Sequence, residues 1–285
     1  MKRTMMAIVV GAFLLPTANA QTVIYAYDNL TGTNRLIRFG VSTPGDVTVI
    51  GSSTINGCLF SALDYAGVSG GLYAYCQEGS PGLYSVDPDT GQATFIGGGG
   101  TGTHIITDFS WNREKIKMLG LAFGEGLNYI YRVNLETGMA SLIGNITGMT
   151  PGAVAVGLSA DAAGILYVQD LLTDQMYKLG GDSGLEATLL GPIGPDTSFS
   201  QGMTIDWSRD GTWYLGAVTV DTGNEAKLYT IDLVTGAGTL VGYIGPGPLS
   251  FETGDIAIQP VPEPASMLAL GAGLAALVAR KRRRA

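Results

Sequence analysis

The sequence predicts an all-β fold, five similar four-stranded sheets in a ring, and three observations carry that prediction. A fifteen-residue pattern recurs: LYSVDPDTGQATFIG at 83–97, IYRVNLETGMASLIG at 130–144 and LYTIDLVTGAGTLVG at 228–242. Two looser copies begin at Leu36 and Met176, so the five starts (36, 83, 130, 176 and 228) lie 47, 47, 46 and 52 residues apart. Gly supplies 43 of 285 residues, about twice the usual ~7%, which calls for many turns rather than long helices. A fixed period near 47 with several short strands in each repeat is the pattern of a β-propeller blade.

Each copy is a hairpin for physical reasons. Leu83-Tyr84-Ser85-Val86 alternates apolar and polar side chains, as a strand requires. In Asp87-Pro88-Asp89-Thr90-Gly91 the Asp side chain bonds the turn backbone and Gly91 takes the positive-φ position. Ala93–Ile96 then forms the returning strand. Two further strand-like runs precede the hairpins. The nearer ones are Val23–Tyr27, Leu72–Tyr75, Ile116–Phe123, Ile165–Val168 and Thr212–Val218. The earlier ones are Leu59–Tyr65, Ile106–Trp111, Val154–Ala160 and Met203–Trp207.

With strands lettered a to d from the centre outward, the first hairpin lacks a strand a. Asp255-Ile256-Ala257-Ile258, in turn, has no hairpin of its own. The ring closes if this last strand joins the blade begun by Val23–Tyr27. The expected fold is thus a five-bladed β-propeller over 22–259, closed by the C-terminal strand, with blades 251–259 plus 22–51, 57–97, 105–144, 152–191 and 201–242. Closure removes exposed sheet edges, whereas an open sandwich or β-solenoid would leave the last strand unpartnered. The only cysteines, Cys58 and Cys76, fall opposite one another across strands a and b of the second blade if their turn centres near Ala66–Gly70. In an oxidising compartment a disulfide is expected there, contributing on the order of 3 kcal/mol in the chain-entropy model.

Both ends read as addresses. Residues 1–20 run from Lys2 and Arg3 through apolar Met5–Leu15 to Pro16 and Ala18-Asn19-Ala20, the order of a cleavable signal peptide handled by signal peptidase and the export machinery. Residues 261–285 read Val261-Pro262-Glu263-Pro264, an uncharged run Ala265–Ala279, then Arg280-Lys281-Arg282-Arg283-Arg284-Ala285. As a helix that run spans roughly 22 Å against a hydrocarbon core of ~30 Å. Snorkelling arginines extend it, giving a short transmembrane helix whose basic end stays cytoplasmic. Pro262-Glu263-Pro264, a short apolar helix and a terminal Arg cluster together resemble the PEP-CTERM sorting signal of Gram-negative bacteria. The resemblance covers about the last 25 residues. It implies an exosortase-type membrane protease as partner and delivery to the cell surface or an exopolysaccharide matrix, with transient or permanent membrane anchoring.

Charge sharpens what the domain between these ends can do. Of the 16 Lys+Arg, seven lie in 1–20 and 280–285, so 21–279 carries 9 against all 24 Asp+Glu, a net of −15. No nucleic-acid footprint is present, and anionic polymers are disfavoured unless cations bridge them. One His (His104) and two Cys exclude multi-His zinc or iron sites and four-Cys clusters. His104 follows Gly97–Gly100 with no G-x-S-x-G elbow nearby, so a surface or channel-lining role is expected rather than nucleophilic catalysis.

One acid lies at or just beyond the end of strand b in every blade: Asp28, Glu78, Glu125, Asp170 and Asp221. A carboxylate ring there would form a ligand or cation face suited to Ca²⁺ or polar glycans; acids scattered through the loops of an acidic protein give the same list. No metal site or other cofactor is expected. The expected function is a non-catalytic binding or structural module, with a glycan or matrix protein as partner. The alternative is a glycosidase-like propeller drawing a carboxylate pair from Asp64, Asp108, Asp206 and Asp255, on or beside the a strands.

Overall fold

Alternating apolar strands separated by Asp- and Gly-bearing turns have one way to bury both faces of every sheet, which is to stack the sheets radially. A computed structural model describes residues 22–30, 34–52, 58–67, 70–206, 211–219, 225–247 and 250–259. Among the described residues the regular elements are twenty strands and no helix. The signal-peptide and sorting segments, including Pro262, Glu263, Pro264 and Arg280 to Arg284, lie outside them.

Blade 1 holds β1 (Val23–Asp28), β2 (Arg35–Gly40) and β3 (Thr43–Ser52); blade 2 holds β4 (Phe60–Tyr65), β5 (Leu72–Cys76), β6 (Gly82–Val86) and β7 (Ala93–Gly97). Blade 3 comprises β8 (Ile105–Asn112), β9 (Lys117–Gly124), β10 (Leu127–Val133) and β11 (Ala140–Asn145). Blade 4 comprises β12 (Ala155–Ala160), β13 (Leu166–Asp170), β14 (Gln175–Gly180) and β15 (Glu186–Pro192). Blade 5 comprises β16 (Thr197–Ile205), β17 (Trp213–Thr219), β18 (Glu225–Ile231) and β19 (Gly238–Tyr243). The final strand, β20 (Thr253–Ile258), pairs antiparallel with β1 through Ile24↔Ile258, Tyr25↔Ala257 and Ala26↔Ile256. The sheet order β20-β1-β2-β3 therefore completes blade 1 and closes the ring.

The core is a set of five seams rather than one centre. Five apolar clusters each join neighbouring blades, as where Tyr27 of blade 1 stacks on Phe60 of blade 2 at 4.5 Å. Tyr167 of blade 4 likewise meets Trp213 of blade 5 at 4.7 Å.

A second contact ties the rim. In every blade, strands c and d share a bulge at the same place, leaving Ile50, Ile96, Ile143, Leu190 and Val241 as the extra residues, each followed by a glycine; blade 1 has a second irregularity between Arg38 and Gly40. A Cβ on Gly51 would stand 2.2 Å from the Thr90 carbonyl oxygen, on Gly97 2.1 Å from that of Thr137, and on Gly191 2.3 Å from that of Thr235. These carbonyls belong to the Thr-Gly turn of the next blade, so the repeat's two glycines meet across each of these three seams. The turn glycines Gly91, Gly138 and Gly236 have φ of 74°, 70° and 77°. In the looser copies Leu185 and Pro44 take the turn's place against Gly144 and Gly242.

Two details of register differ from expectation. The β4–β5 turn pairs Tyr65 with Leu72, and a bulge separates Phe60 from Ala62, so Cys76 is paired with Phe60 rather than Cys58. Cys58, just before β4, still reaches Cys76, and the two form a disulfide with Cα atoms 5.6 Å apart. Strand β16 also begins earlier than expected, because Thr197 in the d–a connection pairs with Thr219 before an irregularity that ends at Gln201.

Candidate functional site

The five a strands surround the ring axis, and the axis is a stack of three levels. At the start of the a strands, on the face of the b–c and d–a connections, a 350 Å³ cavity is lined by residues from all five blades. They include Asn29, Ser61, Gln77, Thr107, Gln201 and Glu252. Just inside lies a neck formed by Ala62, Asp108, Gly157, Gly202 and Asp255, register-equivalent positions of the five a strands. At the opposite end a 40 Å³ cavity is lined by Asp64, Ser110, Ser159 and Thr204, with Trp111 and Arg113 at its edge.

The neck is closed by carboxyl groups. Asp108 and Asp255 are 0% and 1% exposed and interact with each other, so that blades 3 and 1 meet across blade 2. Burial raises both well above the usual carboxylate range, and for Asp255 the neighbouring Asp108 charge pushes the same way. A pair that shares one proton satisfies both conditions. Gly202 has no room for a side chain here, since a Cβ would lie 2.0 Å from Asp255 Oδ1.

Each of these acids also fastens its blade to the next. Asp255 accepts the N–H of Ile256 (2.6 Å) and of Leu63 in blade 2 (2.5 Å). Asp64 accepts those of Tyr65 (2.7 Å) and of Trp111 in blade 3 (2.6 Å). Asp108 accepts those of Phe109 (2.6 Å) and of Leu158 in blade 4 (2.6 Å). Burial pushes Asp64 up to about 7 even though the two N–H groups pull it down. Asp206, the fourth acid of the enzymatic alternative, is 1% exposed and accepts Thr22 Oγ1 at 2.5 Å. Glycosidase carboxyl pairs stand ~5–9.5 Å apart with room for sugar or water, whereas Asp108 and Asp255 are fully buried and bonded to backbone N–H groups of their own and the next blade.

The four described acids of the expected ligand face do not form a ring of like carboxylates. Asp28 ends β1 in full burial, pairs with Arg35, and accepts the N–H of Leu30 (3.2 Å) and Glu252 (3.0 Å). Asp170 ends β13, also fully buried, and accepts the N–H of Val154 (2.8 Å) and Leu172 (3.1 Å) and the hydroxyl of Thr173. Glu78 and Glu125 lie two and one residues beyond their strands and are exposed, Glu125 with a φ of 52°. Asp221 lies outside the described residues. Among the described residues no group of three or more His, Cys, Asp or Glu could hold a metal ion. His104 packs outside the axis, stacked on Tyr129 at 4.1 Å with Nδ1 2.7 Å from Tyr131 Oη.

The polar residues that do surround the axial cavity are mostly neutral and escaped a search for charge. Asn29 and Gln77 each follow the last residue of a b strand (Asp28 and Cys76), and that shared position was the available signal. Asp28 serves this cavity indirectly, since it fixes the Glu252 N–H while Glu252 O accepts the Asn29 N–H at 2.8 Å.

Compared with known proteins, residues 260–284 match the PEP-CTERM protein-sorting motif. That motif implies export and membrane anchoring through an exosortase. Among curated proteins none matches. A chain of the crystal structure of a nidogen/laminin complex is similar in fold at 11% identity, over 85% of this chain and 100% of that one, with a TM-score of 0.53. A protein of unknown function from Bacteroides thetaiotaomicron is 19% identical over 85% of this chain and 63% of that one, also with a TM-score of 0.53. A gluconolactonase from Xanthomonas campestris is 14% identical over 80% and 78%, with a TM-score of 0.46. The two structures with a TM-score of 0.53 show the fold alone.

Proposed function

We propose that this chain is a non-catalytic binding module, exported and delivered by its sorting motif to the cell surface or exopolysaccharide matrix of a Gram-negative bacterium. The observation that supports this reading best is the use made of the inner acids. Asp64, Asp108 and Asp255 each bridge to the a strand of the next blade through backbone N–H groups, and the Asp108–Asp255 pair fills the neck. Carboxylates so engaged hold the ring together, and catalysis would need them free to exchange protons with substrate. The loop face with its open cavity remains as the surface to present, and fold alone does not name what it binds.

The test is retention of the mature domain (residues 21–259) on the producer's own exopolysaccharide, with sugar release assayed in parallel. Saturable retention without release is expected. Sugar release that disappears in Asp64→Asn or Asp206→Asn would replace this reading with the glycosidase one.

A further inference from the structure

We infer that the face carrying the a–b and c–d turns lies against the bilayer while the sorting tail holds the chain there, with the 113–117 turn among the phospholipid headgroups and the b–c and d–a face pointing away. The inference rests on the anchoring that the sorting motif implies and not on what the outward face binds. Its first support is where the chain leaves the ring. Ile258 ends β20 and lines the 40 Å³ axial cavity together with Asp64, Ser110, Ser159 and Thr204, each near the end of one of the other a strands. Gln259 is still fastened, its N–H donating to the Val23 carbonyl at 3.0 Å, and the sorting motif begins at the next residue.

Length then decides which face can meet a membrane. Six residue steps separate Gln259 from Ala265, where the uncharged run begins, and fully extended they reach at most ~20 Å. The carboxyl-filled neck bars the axis, so a tail bound for the opposite face must go round a blade. That path runs three strand spacings outward, roughly 14 Å, and then the length of a six-residue strand, roughly 20 Å. The tether is too short for it.

The face itself carries a contact suited to a bilayer surface. The a–b turn of blade 3 reads Arg113-Glu114-Lys115-Ile116-Lys117, and Arg113 lines the same axial cavity as Ile258. Ile116 is 76% exposed with a φ of 48°, a left-handed conformation that suits a β-branched residue badly. Gly or Asn would serve a simple turn better, so an apolar side chain is held out here against local strain, between two lysines. Such a tip enters the headgroup boundary while its flanking ammonium groups stay with the phosphates. Of the nine Lys and Arg between residues 21 and 279, four are Arg113, Lys115, Lys117 and Arg132. Burial lowers the pKa of Lys117, and Lys115 and Arg132 push the same way against Glu114. The c–d turns, farther from the axis, carry Asp87, Glu136, Asp182 and Asp232 instead, which sets the contact at the basic turn.

Fluorescence quenching tests this on the chain from residue 21 to 285, held by its tail in nanodiscs of phosphatidylethanolamine and phosphatidylglycerol with a nitroxide-headgroup lipid. A single fluorophore is attached at Ile116→Cys, at Glu114→Cys as an independent position on the same turn, at Leu172→Cys on the opposite face, or at Leu142→Cys on the rim. All four sites are exposed, and Cys58 and Cys76 are bonded to each other. Quenching at both turn positions is expected to exceed that at Leu172 and Leu142 at least ~3-fold, since the strands keep the two faces ~20 Å apart. Quenching at Leu172 or Leu142 that equals or exceeds that at either turn position would overturn the inference, as would a chain that does not co-purify with the nanodiscs. The first result leaves the binding-module reading intact, because no ligand of the outward face enters the measurement; the second removes the anchoring as well.

Discussion

Gly97→Ala isolates the rim contact that the repeat encodes. Gly97 lies at the end of β7 in ordinary extended geometry, so an alanine there meets no conformational penalty of its own. Its Cβ, however, would stand 2.1 Å from the Thr137 carbonyl oxygen and 3.0 Å from the carbonyl carbon of the same residue. An ordinary contact is ~3.5 Å, so the blade 3 turn must move outward by roughly 1 Å. That turn is held by Gly138 N–H to Asn134 O at 2.8 Å and by the Asn134 side chain, which accepts the N–H of Glu136 and Thr137 at 2.8 and 3.1 Å. Moving it also strains the inter-blade bond from Ala140 N–H to Gly99 O, 2.9 Å. Overpacking of this kind costs about 1–3 kcal/mol, which lowers Tm by ~2–12 °C in a domain of this size. The matched control is Gly180→Ala, because a Cβ there meets nothing within 4 Å and Gly180 is not among the positive-φ glycines; it is expected to leave Tm unchanged or raise it slightly. Scanning calorimetry of the two variants decides the matter. Equal Tm values would refute the claim that these glycines are selected by the neighbouring blade.

Three other outcomes follow from the axis and the closure. The Asp64, Asp108 and Asp255 carboxyls are all raised in the folded state, so the stability they add is complete below about pH 4, their unfolded pKa, and fades as pH rises through their folded values, about 7 for Asp64. Asp64→Asn should therefore gain on the wild type between pH 4 and 7, at up to ~1.4 kcal/mol per pH unit for the proton concerned; denaturant unfolding across that range would expose a flat difference as the failing result. Cys58→Ser opens a loop of sequence separation 18 and should cost about 3 kcal/mol, ~6–12 °C in Tm, with the wild type matching it once reduced. Deleting residues 253–259 removes β20 and leaves β1 an unpaired inner edge, so size-exclusion chromatography should show association or loss of the soluble monomer; a stable monomer would mean the ring does not depend on its closing strand.

What could be read from the chain and what could not divides along a physical line. Blade number and closure are legible because they rest on backbone periodicity: the Thr-Gly turn at 90–91, 137–138 and 235–236 recurs with its strands, and one strand, Asp255–Ile258, is left over. The disulfide is legible because two cysteines in one blade have few partners to choose from, although its register is not, since the bulge at Phe60–Ala62 leaves no trace in composition. The second role of Gly51 and Gly97, against the next blade's turn, is hidden because a seam between blades joins residues some 40 apart that share no pattern with each other. Charge misleads most. Asp108 and Asp255 look like candidates for catalysis because acids on inner strands face the axis, yet at a closed axis each lies within reach of a neighbouring backbone N–H as well as of the other carboxyl. Asn29, Gln77 and Gln201 look like ordinary loop and strand residues, since an uncharged amide carries no signal until the ring brings it beside two others of its kind. In a ring of repeated blades the residues that repeat build the seams, and those that break the repeat are where a binding site has to be sought. In register, the residue that follows the partner of the last a-strand residue before the bulge is Asn29 in blade 1, Gln77 in blade 2, Phe123 in blade 3 and Leu171 in blade 4, and with Gln201 of blade 5 the amides of the cavity come from blades 5, 1 and 2.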